Sequence, residues 1–258
     1  GVPRPPTQPR AGARAGSEEE RCAHVDAAHP DKAAYARCTW LWLDLAHISL
    51  EQGRPHHAIA HARRIVGPGA VSPFATDAGA ARVSGRLVSL RPGDSVTDAV
   101  GRRQGGAARP AGLHVLSRAY EALNGRPGGE GGGRGGSTSG GPTMQSATPL
   151  LEAARLGHAA AQVDLAAHLE AGAGVIAPDS ASAALWYAAG ARGAADGGVA
   201  LRRWGVMLAQ GGLGRGAPPD ARAARRLFLA AAVAGDADGM YNLARMIEHG
   251  EGGSSWLL

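Results

Sequence analysis

The chain has 258 residues, 40 of them glycine and 16 proline, and aromatics make up only 4%. Its 44% apolar share is carried largely by alanine, so closely packed Ala-rich helices fit these totals and a large Leu/Ile/Phe core does not. The net charge is +5, but the basic residues are scattered arginines apart from Lys32, and that scatter argues against nucleic acid as the partner.

Residues 1–16 read as a disordered tail: Arg4, Arg10 and Arg14 give it a faint transit-peptide look, but prolines at 3, 5, 6 and 9 oppose a helix. An opening at Gly1, without methionine, is compatible with a fragment. Ser17-Glu18-Glu19-Glu20 has the form of a capping box, predicting a short helix to about His29, stopped by Pro30. Asp31 can cap a longer helix through about Gln52, carrying Trp40, Leu43, Leu45, Ile48 and Leu50. Gly53 ends it, and Pro55 starts a partner helix with Ala58, Ala62 and Ile65. Cys22 and Cys38 cannot build a disulfide framework or a four-cysteine zinc site, and with His24 they read as core or surface residues.

Trp42, Leu45, Ala46, Gly53, Ala58 and Ala62 give this stretch, about 36–66, a resemblance to one tetratricopeptide repeat. Further helices are expected over 74–90, 94–103 and 110–124, the last again similar to the first helix of such a repeat. The whole of 17–124 is thus read as a tetratricopeptide-like helical region. Residues 125–145 hold the run GRPGGEGGGRGGSTSGGPT, which has nothing to bury and reads as a flexible linker and a domain boundary.

Beyond it, Gly157, Gly193 and Gly235 open successive units at intervals of roughly 40 residues, within the range of helical-repeat arrays. The first unit has Ala161, Leu165, Ala166, Leu169, Gly172-x-Gly174, Asp179, Ala183 and Trp186-Tyr187. The second has Trp204-Gly205, Gly211, Asp220, Ala224 and Leu227-Phe228, its first helix displaced by its extra length. The third has Tyr241-Asn242, Leu243-Ala244, Met246, Ile247 and Gly250-x-Gly252. Small residues such as Ala161, Ala166 and Ala244 allow close helix approach, the glycines reverse the chain, and Asp179 and Asp220 suit helix capping.

These residues, over 146–252, resemble the Sel-1-like repeat family, a relative of the tetratricopeptide repeats. The block starts with a lone second helix, 147–156, and stops after a lone first helix, 237–249, whose bare face is a candidate packing site for a partner. Residues 253–258 read as a tail. The resemblance implies an all-α chain, an α-solenoid of antiparallel helix pairs. It also implies a non-enzymatic scaffold or adaptor that binds other proteins or peptides. Asp164, His168, Asn242 and Arg245, off the apolar stripe of the first helices, are the candidate protein-binding residues. The alternative is an RNA-associated helical-repeat protein, motivated by the +5 charge and Gly133-Arg134-Gly135-Gly136.

No catalytic constellation, cofactor or metal is expected. The dinucleotide-like letters of Gly172-Ala173-Gly174-Val175-Ile176-Ala177 follow a helix instead of a strand and coincide with the repeat turn. Lys32 lies outside any glycine-rich loop, which removes a phosphate-binding P-loop, and there is no Gly-x-Ser-x-Gly elbow. His57 and His61 share a helix face, with no carboxylate or cysteine close in sequence to complete a metal site. Trp40, Trp42, Trp186 and Trp204 read as core. No apolar run approaches the roughly 18 residues of a membrane span. Without a glycosylation sequon the balance leans to the cytoplasm, with an organelle or the endoplasmic reticulum left open.

Overall fold

Short helices that reverse at glycines must pack on their sequence neighbours, because none is long enough to be stable alone. The computed structural model describes residues 18–25, 31–67, 82–83, 86–87, 108–124, 142–193, 197–211 and 218–253. Among them are ten helices: α1 (Glu18–Cys22), α2 (Lys32–Glu51), α3 (Pro55–Val66), α4 (Ala108–Asn124), α5 (Met144–Arg155), α6 (Ala159–Ala171), α7 (Ser180–Gly190), α8 (Gly197–Ala209), α9 (Ala221–Val233) and α10 (Ala237–Glu248). Each packs on the one before it, giving an all-helical, repeat-like row. The tail at 1–16, the capping serine at 17, the helix over 94–103, most of the glycine-rich run and residues 254–258 lie outside the described residues.

The caps expected from sequence form. Asp31 accepts from the amides of Ala33 and Ala34 at the start of α2. Asp179 and Asp220 accept from Ser182 and Ala223 at the starts of α7 and α9. The turns fall into two classes. After α2, α6, α8 and α10 stand Gly53, Gly172, Gly211 and Gly250, all with φ of 66–70°. After α3, α5 and α9 stand Gly67, Gly157 and Gly235, with φ of 87–88°. These two sets of helices are thus ended by different left-handed glycines, a backbone that side-chain-bearing residues rarely adopt. Gly193 after α7 is not left-handed, so this turn departs from its sequence counterparts. Gly174 and Gly252 are both left-handed two residues further on, and the amides of Asp179 and Asp220 each close their turn on a carbonyl, of Leu169 and Leu208, at 2.8 Å.

Small residues sit at the crossings. Ala161 and Ala166 are fully buried, and a side chain on Gly205 would stand 2.8 Å from the Phe228 ring of α9. Leu165, Trp186 and Tyr187 fill the space between layers, and Leu243 packs less completely against Phe228 and Met246.

Four expectations are corrected. α1 ends at Cys22, well short of His29. Cys22 and Cys38, both buried, are joined in a disulfide that ties α1 to the second turn of α2 beside Tyr35 and Trp42. Arg82–Val83 pairs with Arg86–Leu87 in a two-residue antiparallel ladder within the stretch where a helix over 74–90 was expected, the rest of which lies outside the described residues. Trp40 is exposed while Trp42 is buried, because positions two apart lie roughly 200° around a helix.

The glycine-rich run does not separate two packed units. α4 and α5 pack on each other across it, and Val66 and Leu113 share one apolar core with Leu150, Leu165 and Trp186. Asn124 at the end of α4 donates to the Thr143 hydroxyl at the start of α5 (3.0 Å), holding the two ends of the run side by side. The supposedly lone helix at 147–156 is therefore the partner of α4.

The Cys22–Cys38 bridge closes a loop of 16 residues. Reduction is expected to lower the unfolding free energy by about 3 kcal/mol, the chain-entropy value for such a loop. The reading is the urea midpoint with and without reductant. A midpoint unmoved by reductant would show that α1 adds no constraint.

Candidate functional site

The first helices of successive pairs, α4, α6 and α8, are joined by polar contacts on one side of the row. Glu121, in the last turn of α4, faces the His168 imidazole of α6 at 3.2 Å. Glu170, in the last turn of α6, faces Arg203 of α8 at 3.5 Å and accepts from the Tyr187 hydroxyl at 2.7 Å. Burial, then the bond to Glu170, pushes that phenol well above its ordinary value. Glu51, Glu170 and Glu248 each stand two residues before a left-handed turn glycine. This recurring acid was readable from the sequence alignment and was missed.

His114 of α4 meets Asp164 of α6 through Nε2 at 2.7 Å. The imidazole is only 7% exposed, whereas the carboxylate is 45% exposed. Burial works to raise the Asp164 pKa, but the hydrogen bond and charge of His114, helped by Arg118 and His168, outweigh it and hold the carboxyl below the usual aspartate value. The His114 ring also lies 4.9 Å from that of His158, the N-cap of α6, whose Nδ1 accepts from the Ala161 amide at 3.3 Å. Burial, then His114, lowers His158 to about 4. Such a pair could in principle exchange protons, but His114 is walled in. The hydroxyl of Ser117, one turn along α4, is fully buried as well, so neither meets an approaching molecule. What the arrangement does is brace α6 against α4.

The four candidate binding residues therefore divide. Asp164 and His168 are committed to α4 through His114 and Glu121. Their partners lie about fifty residues earlier, beyond the reach of a local pattern. Asn242 and Arg245 are on α10, half-buried and exposed respectively, and do not approach the first two.

α10 carries the second feature. It packs on α9 and α8, and its open side repeats the positions that α6 hides under α7. Ala166 and Leu169 of α6 are 0% and 3% exposed; their counterpart Ala244 is exposed and Ile247 is 54% exposed. Tyr241, the counterpart of Val163, is 67% exposed. Among the described residues no helix crosses over Ala244, contrary to its expected role.

Among the described residues, no group of three or more His, Cys, Asp or Glu side chains is arranged to hold a metal ion. In the Gly172–Ala177 turn Val175 donates to the Pro142 carbonyl and Ile176 to that of Ala173. No described helix is long and apolar enough to cross a membrane. Gly133–Gly136 lies outside the described residues. No protein-family model matches the chain, and no curated protein matches its sequence.

A double-mutant cycle of His114→Ala and Asp164→Ala is expected to show a coupling of about 1–2 kcal/mol at neutral pH. Because the folded carboxyl value is lowered, that coupling is complete above the unfolded value of 3.8 and disappears as pH falls through the folded one. Additive single variants at pH 7 would show that the pair does not brace the helices.

Proposed function

We propose that this chain is a non-enzymatic protein-interaction scaffold built as a Sel-1-like, tetratricopeptide-related solenoid, with the open side of α10 as its principal contact surface. The observation that carries the reading is the exposure of Tyr241, Ala244 and Ile247 at positions whose counterparts in α6 are covered by a helix. Two further features support it. The recurring turn glycines and the Asp caps of α7 and α9 give the α6–α7 and α8–α9 pairs a shared first turn, which leaves surface positions free to vary without disturbing the core. The open side also mixes a large aromatic, an aliphatic residue and Arg245, the side chains that dominate protein interfaces.

The fitting partner is a helix whose small residues can settle against Tyr241, as Gly190 of α7 settles against its counterpart Val163 of α6. Asn242 and Arg245 flank that contact. Asp164 and His168 serve it only indirectly, by fixing α6.

The test uses the full chain, because a fragment starting at residue 146 would cut into α5 and strip it from α4. Immobilised wild type is compared with Tyr241→Ala/Ile247→Ser and, as a control on α9, Arg222→Ala. At least one protein partner is expected to bind wild type and the control equally and to lose roughly tenfold or more in affinity with the α10 variant. Partners indifferent to the α10 variant would overturn the assignment of the surface. Recovery of RNA alone, released by modest salt, would overturn the scaffold reading itself.

A further inference from the structure

His158 occupies a position that an aspartate fills elsewhere in the chain. Gly157 and Gly235 are the matching left-handed glycines after α5 and α9, and the residue that follows each caps the next helix. In the later turn it is Asp236, whose carboxylate accepts from Gly239 at 2.6 Å and from Arg202 at 2.9 Å. In the earlier turn it is His158, whose Nδ1 accepts from Ala161 at 3.3 Å. An imidazole caps only while that nitrogen keeps its lone pair; imidazolium has two donors and no acceptor, and it meets the positive end of the helix.

We propose that His158 is a pH-sensitive cap, through which acidification loosens the first turn of α6 and with it the junction between α2–α5 and α6–α10.

The surroundings support a cap that changes state as a unit with its neighbours. His114 of α4 lies beside it, Asp164 of its own helix pairs with His114, and His47 of α2 adds further positive charge when protonated. α5 brings Arg155 and Glu152, the latter engaged by Arg109 at 2.9 Å. From α7 the titratable group is Tyr187, committed to Glu170. Among the described residues, only Asp164 is placed to favour a charged His158, and its carboxylate is already engaged by His114. The turn is otherwise closed by backbone bonds from Gly157 to Ala154 and from His158 to Ala153, and by the Gln162 side-chain amide on the Ala154 carbonyl, all at 3.0 Å.

The sign follows from the lowered folded value. From 6.5 downwards the opened turn takes up a proton that the closed turn refuses, so opening becomes easier as pH falls and levels off near 4.

The experiment is hydrogen exchange at the amides of Ala161 and Gln162, which are bonded to the His158 ring and carbonyl, in the full chain between pH 7 and pH 4, corrected for intrinsic exchange rates. It is run with an NMR titration of the His158 ring. Wild type is expected to lose roughly tenfold or more of its protection at these amides across that range. His158→Asn keeps an acceptor that does not titrate, and is expected to be protected like wild type at pH 7 and to change by less than about twofold. His158→Ala is expected to be weakly protected throughout. Parallel loss of protection in wild type and His158→Asn would overturn the proposal. So would a His158 ring that titrates at its ordinary value while Ala161 stays protected, a result readable in wild type alone.

Discussion

The left-handed reversal after α2, α6, α8 and α10 is the constraint on which the rest depends. Gly53, Gly172, Gly211 and Gly250 adopt nearly one φ, and a side chain on Gly172 would additionally stand 2.9 Å from the Pro178 ring. A helix of 11–13 residues, such as α6 or α7, cannot hold its own hydrogen bonds in water, so it must be returned at once against a neighbour. The glycine returns it, the aspartate cap starts the next helix, and alanines let the two backbones come close. Loss of any of the three would leave the others without purpose.

The same logic explains how a long glycine-rich run can lie inside a helix pair. Closing a loop costs entropy that grows only with the logarithm of its length, so an insertion is tolerated where its ends are independently fixed. Here they are fixed by Asn124 with Thr143 and by Arg109 with Glu152, while Leu113 and Leu150 join the same core. Composition marks such a run as a boundary because it buries nothing. Whether it divides the packing is decided by residues on either side of it.

What was legible in the sequence was local. Asp31, Asp179 and Asp220 cap the helices they precede, and the turn glycines end the helices they follow, since those interactions span three or four residues. The buried and exposed faces of α2 were misjudged because Trp40 and Trp42 carry the same hydrophobic signal on nearly opposite sides of one helix. The Cys22–Cys38 bridge needs the return of α1 onto α2, which two cysteines alone do not specify. Asp164 and His168 had the look of free polar positions. Their partners His114 and Glu121 come from a helix that composition placed in another domain.

The polar braces between first helices have a role that stability alone does not account for. Partly exposed ion pairs contribute little on their own, and a buried histidine costs solvation. The apolar core already binds each helix to its predecessor, but alanine-rich surfaces are smooth and permit sliding. Glu121 with His168, Glu170 with Arg203 and Arg202 with Asp236 fix how far each pair is turned from the last. The braces differ in kind along the chain. Those from α6 to α8 and from α8 to α10 use arginine, which keeps its charge at any physiological pH. Those from α4 to α6 use His114 and His168, beside a histidine cap. The joint between α4 and α6 is therefore held through imidazoles, and the joints toward α10 through guanidinium groups.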